Sequence, residues 1–145
     1  MTYAEKNGLA LETAYPYTAK NGVCKDTSVA NKVKVTKIAS VGAKSVAQLK
    51  AAIAQGPTSV TVEADRSVFQ LYKSGVLNST ACGTQLDHAI TAVGYGTDAA
   101  SGLDYYIVRN SWGASWGDQG YIKIAAVDGV GICGIQQISV WPTTN

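Results

Sequence analysis

Leu86-Asp87-His88-Ala89-Ile90 and Arg109-Asn110-Ser111-Trp112-Gly113 enclose two apolar runs. The first run closes in Val93-Gly94-Tyr95-Gly96, and the second is Tyr105-Tyr106-Ile107-Val108. Residues 97–103 between them are rich in Gly, Ala, Asp and Ser, so the pair reads as two antiparallel strands joined by a long turn. Folding symmetrically about Ala99 sets His88 opposite Asn110. Residues facing each other on antiparallel strands have Cβ atoms roughly 5 Å apart, so the imidazole and the carboxamide touch. Such a pair is the base and the orienter of a nucleophile–base–orienter site. The carbonyl of Asn110 fixes one ring nitrogen and leaves the other facing outward. Trp112 is near enough to cover the pair and exclude water, which strengthens the bond. His88 is the only histidine of the chain.

Outside this hairpin the 145 residues read as a domain of ordinary size with a sizeable core. Apolar content of 46% argues against disorder. No run approaches the roughly 20 apolar residues of a membrane span. The first residues, Met1-Thr2-Tyr3-Ala4-Glu5-Lys6, lack the apolar stretch of a signal peptide. A net charge of +2 from dispersed basic residues gives no sign of a nucleic-acid partner. Three cysteines, Cys24, Cys82 and Cys133, form no C-x-x-C and share the chain with one histidine, which argues against zinc. Two of them can form a disulfide, leaving one over. No cofactor or metal is implied.

Along the chain, residues 3–7 read as a helix stopped by Gly8. Tyr15-Pro16-Tyr17 reads as extended. Residues 32–38 alternate as a strand with one wet face. Ser45 with Gln48 has capping-box spacing, and Val46, Leu49, Ala52 and Ile53 form an apolar stripe ended by Gly56-Pro57. Residues 58–64 alternate, with Val60 and Val62 on one face. Asp65 is placed to cap a short helix through Val68, Phe69 and Tyr72. Residues 75–83 read as a loop, 121–125 as a strand, and 135–140 as the last strand before Trp141-Pro142. Lys44, Lys50 and Lys73 read as solvated surface charges. Asn78-Ser79-Thr80 is a glycosylation sequon, compatible with a secretory route. The sum is an α+β unit with a helix at the front and strands behind it.

Three longer strings carry a resemblance. Leu86-Asp87-His88-Ala89-Ile90-Thr91-Ala92-Val93-Gly94-Tyr95-Gly96 is followed by Tyr106-Ile107-Val108-Arg109-Asn110-Ser111-Trp112-Gly113, then Trp116-Gly117, Gly120-Tyr121 and Gly131-Ile132-Cys133-Gly134-Ile135. Together with Tyr15-Pro16-Tyr17, Cys24, Phe69-Gln70-Leu71-Tyr72 and Gly75-Val76, they resemble the C-terminal part of papain-like cysteine proteases of the cathepsin L type. The likeness covers nearly the whole chain.

The resemblance implies a two-lobed fold: residues 1–40 end the helical left lobe and cross between lobes, and residues 41–145 form the β-rich, barrel-like right lobe. It makes His88 the general base, Asn110 its orienter, Trp112 their shield and Trp116 a wall of the leaving-group side. It places Thr61, Leu86, Asp87, Ala89 and Ile138 with the two tryptophans around bound substrate, Ile138 at the floor of the pocket for the residue before the cleaved one. An apolar floor favours an apolar side chain, because a buried unpaired cation there is costly. It pairs Cys82 with Cys133 and leaves Cys24 for a cysteine of the absent half.

One element of the family pattern is missing. The nucleophile motif C-G-[SA]-C-[WY] lies roughly 130–150 residues before the His and Asn. Only 87 residues precede His88, which puts the nucleophile roughly 45–60 residues ahead of Met1 on that spacing. No cysteine present sits at a helix N-terminus after a Gly-rich turn, where a thiol pKa is lowered. The resemblance therefore implies a chain that supplies base and orienter for peptide-bond hydrolysis and is inactive alone. The alternative is a non-catalytic homologue serving as a binding or structural module. The partners implied are a peptide or protein substrate, protein inhibitors in the cleft and the missing N-terminal half, with no nucleic acid and no membrane. The location implied is secreted or lysosomal/vacuolar. A chain without its lobe partner exposes an apolar face, and self-association is expected, by exchange of terminal segments or through Cys24. Light scattering showing a monomer over a wide concentration range would contradict that expectation.

Overall fold

The computed structural model describes residues 2–30 and 32–144, in two compact units, Met1–Ile38 with Pro142–Asn145 and Ala39–Trp141. In the smaller unit α1 (Thr2–Asn7) ends where Gly8, at φ +75°, donates its N–H to Ala4 O. Only a residue tolerant of positive φ makes that turn without strain. Leu9 and Val33 then form an isolated antiparallel bridge. The strand expected over residues 32–38 is replaced by this bridge and by β1 (Lys37–Ser40). Val33 is 46% exposed, and the N–H of Val35 turns back to Ala4 O, so among the described residues this segment has no continuous neighbour to pair with. The Tyr3 hydroxyl donates to the Asp26 carboxylate, and Lys32 lies 2.8 Å from the same group.

In the larger unit α2 (Val46–Gln55) starts at Ser45, whose Oγ accepts the N–H of Gln48 at 3.3 Å. Its Leu49, Ala52 and Ile53 are buried as the stripe demands. Leu49 and Ile53 join a core with Val60, Val62, Ile90, Ala92, Tyr106, Val108, Ile122 and Ile124. The strands are β2 (Thr58–Val62), β3 (Val76–Leu77), β4 (His88–Thr97), β5 (Asp104–Arg109), β6 (Tyr121–Ala125) and β7 (Ser139–Thr143). The sheet order is β1-β7-β2-β4-β5-β6-β3, with β3 parallel to β6, and β2 antiparallel to both β4 and β7. One sheet with a few short helices fits the α+β class.

Several elements differ from the sequence reading. The 75–83 segment contains β3, because Val76 and Leu77 find Lys123 and Ile124 in register, a non-local pairing that no local pattern reveals. The helix after β2 is α3 (Ser67–Gln70), entered at Arg66 with no side-chain cap. Asp65 pairs with Arg66 Nε at 3.4 Å. The last strand runs through Trp141-Pro142, since residues 135–138 are turns, with the Gln136 N–H donating to Val130 O and the Gln137 N–H to Gly134 O, which delays its start. Lys50 pairs with the Asp104 carboxylate and lies 5.6 Å from the centre of the Tyr95 ring.

Cys82 and Cys133 form a disulfide with a sequence separation of 51. A loop of that length contributes about 4 kcal/mol on the chain-entropy model. Beside it Glu63 is only 1% exposed. Its carboxylate accepts the Gln85 N–H at 2.5 Å and the Arg66 Nε–H at 2.6 Å, and its own N–H donates to Cys133 O. Gly83, at φ +75°, is pressed against this carboxylate, and a Cβ there would collide with it. The Gln85 N–H first, then Arg66, hold the Glu63 carboxyl below its usual pKa of 4.5. A depressed folded-state pKa contributes stability that is present above the unfolded value and lost as pH falls through the folded one. Glu63→Gln is therefore expected to destabilise the chain at neutral pH and to flatten the acid limb of stability. Urea midpoints measured from neutral to acid pH check this; curves that run parallel for variant and parent would refute it.

Candidate active site

β4 begins at His88, which pairs with Val62 of β2. Asp87 just before it is tied down twice: its N–H donates to Val62 O at 3.0 Å, and its carboxylate accepts the Ala64 N–H at 2.8 Å. Thus β2 and the Glu63 loop set where the imidazole stands. Asn110 follows the last residue of β5, and its N–H donates to Gly120 O at 2.9 Å across the tryptophan loop. His88 Nε2 and Asn110 Oδ1 are 2.8 Å apart.

The contact is as expected, but the register behind it is not. Symmetry about Ala99 would set Thr97 against Ser101; the structure sets it against Asp104. Asp98 builds the turn by accepting the N–H and the hydroxyl of Ser101. A bulge between Ala92 and Gly94 then shifts the ladder, and Thr91 faces Arg109. A bulge inserts one unpaired residue and increases local twist. Continued past Arg109, this register puts Ile90 opposite Asn110 and makes His88 the diagonal neighbour, within reach of a long side chain.

Hydrogen-bond roles follow from one further contact. The Ser111 N–H donates to the same Asn110 Oδ1 at 2.7 Å. A backbone N–H can only donate, so this atom is an oxygen, and His88 Nε2 must carry the proton it shares. Nδ1 is left as the basic nitrogen. Asn110 is 7% exposed, and its Nδ2 finds no acceptor among the described residues.

Trp112, 40% exposed, stacks on the imidazole with ring centres 5.1 Å apart and planes at 26°. Its other contacts run inward. Phe69 of α3 meets it edge-on at 5.6 Å, and Trp116 does so at 5.3 Å. Phe69 also stacks on Trp116 at 5.2 Å, and the Trp116 indole N–H donates to Gln70 O at 3.0 Å. Offset and edge-to-face pairs of this kind stabilise by about 0.5–1.5 kcal/mol beyond area burial. Trp116 packs against the core, while Trp112 is the exposed cover. Phe69, fully buried, links α3 to that cover. In the sequence Phe69 reads as part of the short helix after Asp65 and of the family likeness, with no role beside His88, and Glu63 is passed over. The signal for Glu63 was a carboxylate continuing an apolar strand, with Arg66 three residues on.

Thr61, Ala89 and Ile138 come together: Thr61 is in register with Ala89, and its hydroxyl donates to Ile138 O at 3.1 Å. Ile138 is 57% exposed, an open apolar surface. Leu86 lies against Gly134, where an added Cβ would come within 2.9 Å of Leu86 Cδ2. Asp87 spends its carboxylate on the Ala64 backbone. Beside Asn110 a cavity of about 560 Å³ is lined by Ala89, Arg109, Ser111, Gln119 and Tyr121 among others. Cys24 is exposed and free.

This is the architecture of papain-like proteases. The bromelain protease of Ananas comosus, solved with the E64 inhibitor, superposes with a TM-score of 0.91 at 43% identity, covering 99% of this chain and 67% of that one. The family model for papain family cysteine proteases matches residues 1–143. The chain belongs to that family. Papaya proteinase 4 of Carica papaya is 40% identical over 148 aligned positions, covering 100% of this chain and 42% of that protein. Chymopapain of the same plant is 43% identical, covering 98% and 40%. The chain thus spans about two-fifths of the length of the curated relatives it matches.

Asn110→Ala is expected to release His88 from a single tautomer. In ¹⁵N-detected imidazole spectra the parent should show a protonated Nε2 and a bare Nδ1 when neutral, and the variant a mixture. A parent that is already a mixture would show that the Asn110 contact does not hold the ring.

Proposed function

We propose that this chain is the base-bearing part of a cysteine endopeptidase, with residues 1–40 ending the left lobe and residues 41–145 forming the right. The observation that carries the reading is the tautomer: Ser111 N–H and His88 Nε2–H converge on Asn110 Oδ1, which leaves Nδ1 as the proton acceptor. In the complete enzyme His88 Nδ1 takes the proton of a cysteine thiol on upstream sequence, and the thiolate attacks the peptide carbonyl carbon. As the C–N bond breaks, the imidazolium returns that proton to the leaving amine; water then releases the acyl group from sulfur. Trp112 covers the His88–Asn110 bond and keeps water from competing for it. Trp116 borders the leaving-group side. Leu86, Asp87, Thr61, Ala89 and Ile138 border bound substrate, and the exposed Ile138 side chain favours an apolar residue before the cleaved one.

Cys82 and Cys133 are joined to each other, and the chain alone should not hydrolyse peptides. The bromelain protease binds E64, and we extend cleft-directed inhibitors of that kind to the complete enzyme as partners. The disulfide fits an oxidising compartment, secreted or lysosomal/vacuolar.

Joining the chain to a papain-family N-terminal part that carries the nucleophile motif is expected to yield turnover of a peptide ester, abolished by a thiol alkylator. His88→Ala in the joined protein should lower turnover by on the order of 10²–10⁴, the usual contribution of a general base. Turnover by the isolated chain, blocked by the same alkylator, overturns the proposal. A joined protein that folds and binds substrate without turnover favours the binding-module alternative.

A further inference from the structure

The Asn78-Ser79-Thr80 triplet takes no part in the proposed chemistry, and its placement in the fold gives it another use. It directly follows β3. That two-residue strand is the last in the sheet order and, among the described residues, pairs only with β6. Asn78 is exposed, and no side-chain hydrogen bond engages its amide among the described residues. Ser79 turns inward to the chain: it is the N-cap of the 3-10 turn Thr80–Cys82, and its Oγ accepts the Ala81 N–H at 3.3 Å. The division suits an N-x-[ST] acceptor, in which the first and third side chains must be free and the middle one is incidental. Thr80 is exposed as well.

We propose that Asn78 is a site of N-linked glycosylation. The donor is an oligosaccharide carried on a lipid pyrophosphate. The amide Nδ2 attacks the anomeric carbon, the C–O bond to the pyrophosphate breaks, the lipid pyrophosphate leaves, and the amide loses one proton to the transferring enzyme. No electrons are exchanged. The acceptor must be extended when it is used, and the fold allows this in time. Cys82 closes its disulfide with Cys133, 51 residues later. At about 5–20 residues per second of synthesis, the triplet emerges seconds before its loop can be locked.

The position also spares the cleft. β3 is separated from β4, which carries His88, by β5 and β6. Three strand spacings of roughly 4.8 Å put the glycan about 14 Å away along the sheet. There it stands at the end of a half-buried edge strand, and the edge is the part of a sheet most open to pairing with another chain.

The proposal rests on passage through a secretory compartment, and the test supplies that passage so the two can be judged apart. The chain is translated into microsomes behind a heterologous secretory leader, and only protease-protected product is scored. The expected result is a slower-migrating species collapsed by peptide N-glycosidase, with Asn78 recovered as Asp in the treated peptide. Asn78→Gln and Thr80→Ala should each abolish the shift, while Thr80→Ser and Ser79→Ala should retain it. Protected chain that shows no shift, or a shift that survives Asn78→Gln, overturns the proposal.

Discussion

The hydrogen bond between His88 and Asn110 exists only if two segments with no local reason to meet are held at one separation. His88 is fixed by β2, through Asp87 and Val62. Asn110 is fixed by the tryptophan loop, through Gly120 O. The bulge after Ala92 sets the offset between them. Core packing of Ile90, Val108 and Ile122 then makes that offset expensive to change, since slipping a strand by one residue would turn its apolar side chains to water. The geometry of one polar contact is thus a product of apolar packing on the same strands.

Beneath it a second polar assembly fixes the approach to β4. Glu63, Arg66, Gln85 and the Cys82–Cys133 bridge form a cluster at the end of β2. A buried carboxylate is costly unless its lone pairs are satisfied, and here a backbone N–H and a guanidinium satisfy them. Gly83 is the one residue type that lets the backbone pass so close to that carboxylate. The tryptophan side rests instead on aromatic contacts from α3. Polar loop and aromatic stack hold the two flanks of one imidazole by different forces, so salt and pH act on the first while leaving the second largely untouched.

Much of this was legible in the chain itself. The stripe of Leu49, Ala52 and Ile53, the alternation around Val60 and Val62, and the 121–125 strand all appear as read, because each is a local pattern tied to one buried face. The His88–Asn110 contact was also legible, although the hairpin register that suggested it was not. The Asp98 turn and the bulge change the pairing by amounts that side-chain alternation does not record. Non-local events escaped too: β3 needs β6, the Val33 bridge needs Leu9, and Lys50 needs Asp104 and Tyr95. Glu63 escaped because a buried acid looks, in sequence, like an interrupted strand.

The central place of β2 bears on how fast this fold can form. One edge of β2 pairs with β4, and the other pairs Ser59 with Val140 and Val60 with Ser139. Closing a loop of about 80 residues costs roughly 4 kcal/mol of chain entropy before any contact offsets it. Folds dominated by such distant pairings are slow, falling in the millisecond-to-second range. α2 and the β4–β5 hairpin can form early from neighbouring residues. The strand between them and β7 cannot be completed until the far end of the unit arrives, so a few C-terminal residues govern the rate at which the whole sheet closes.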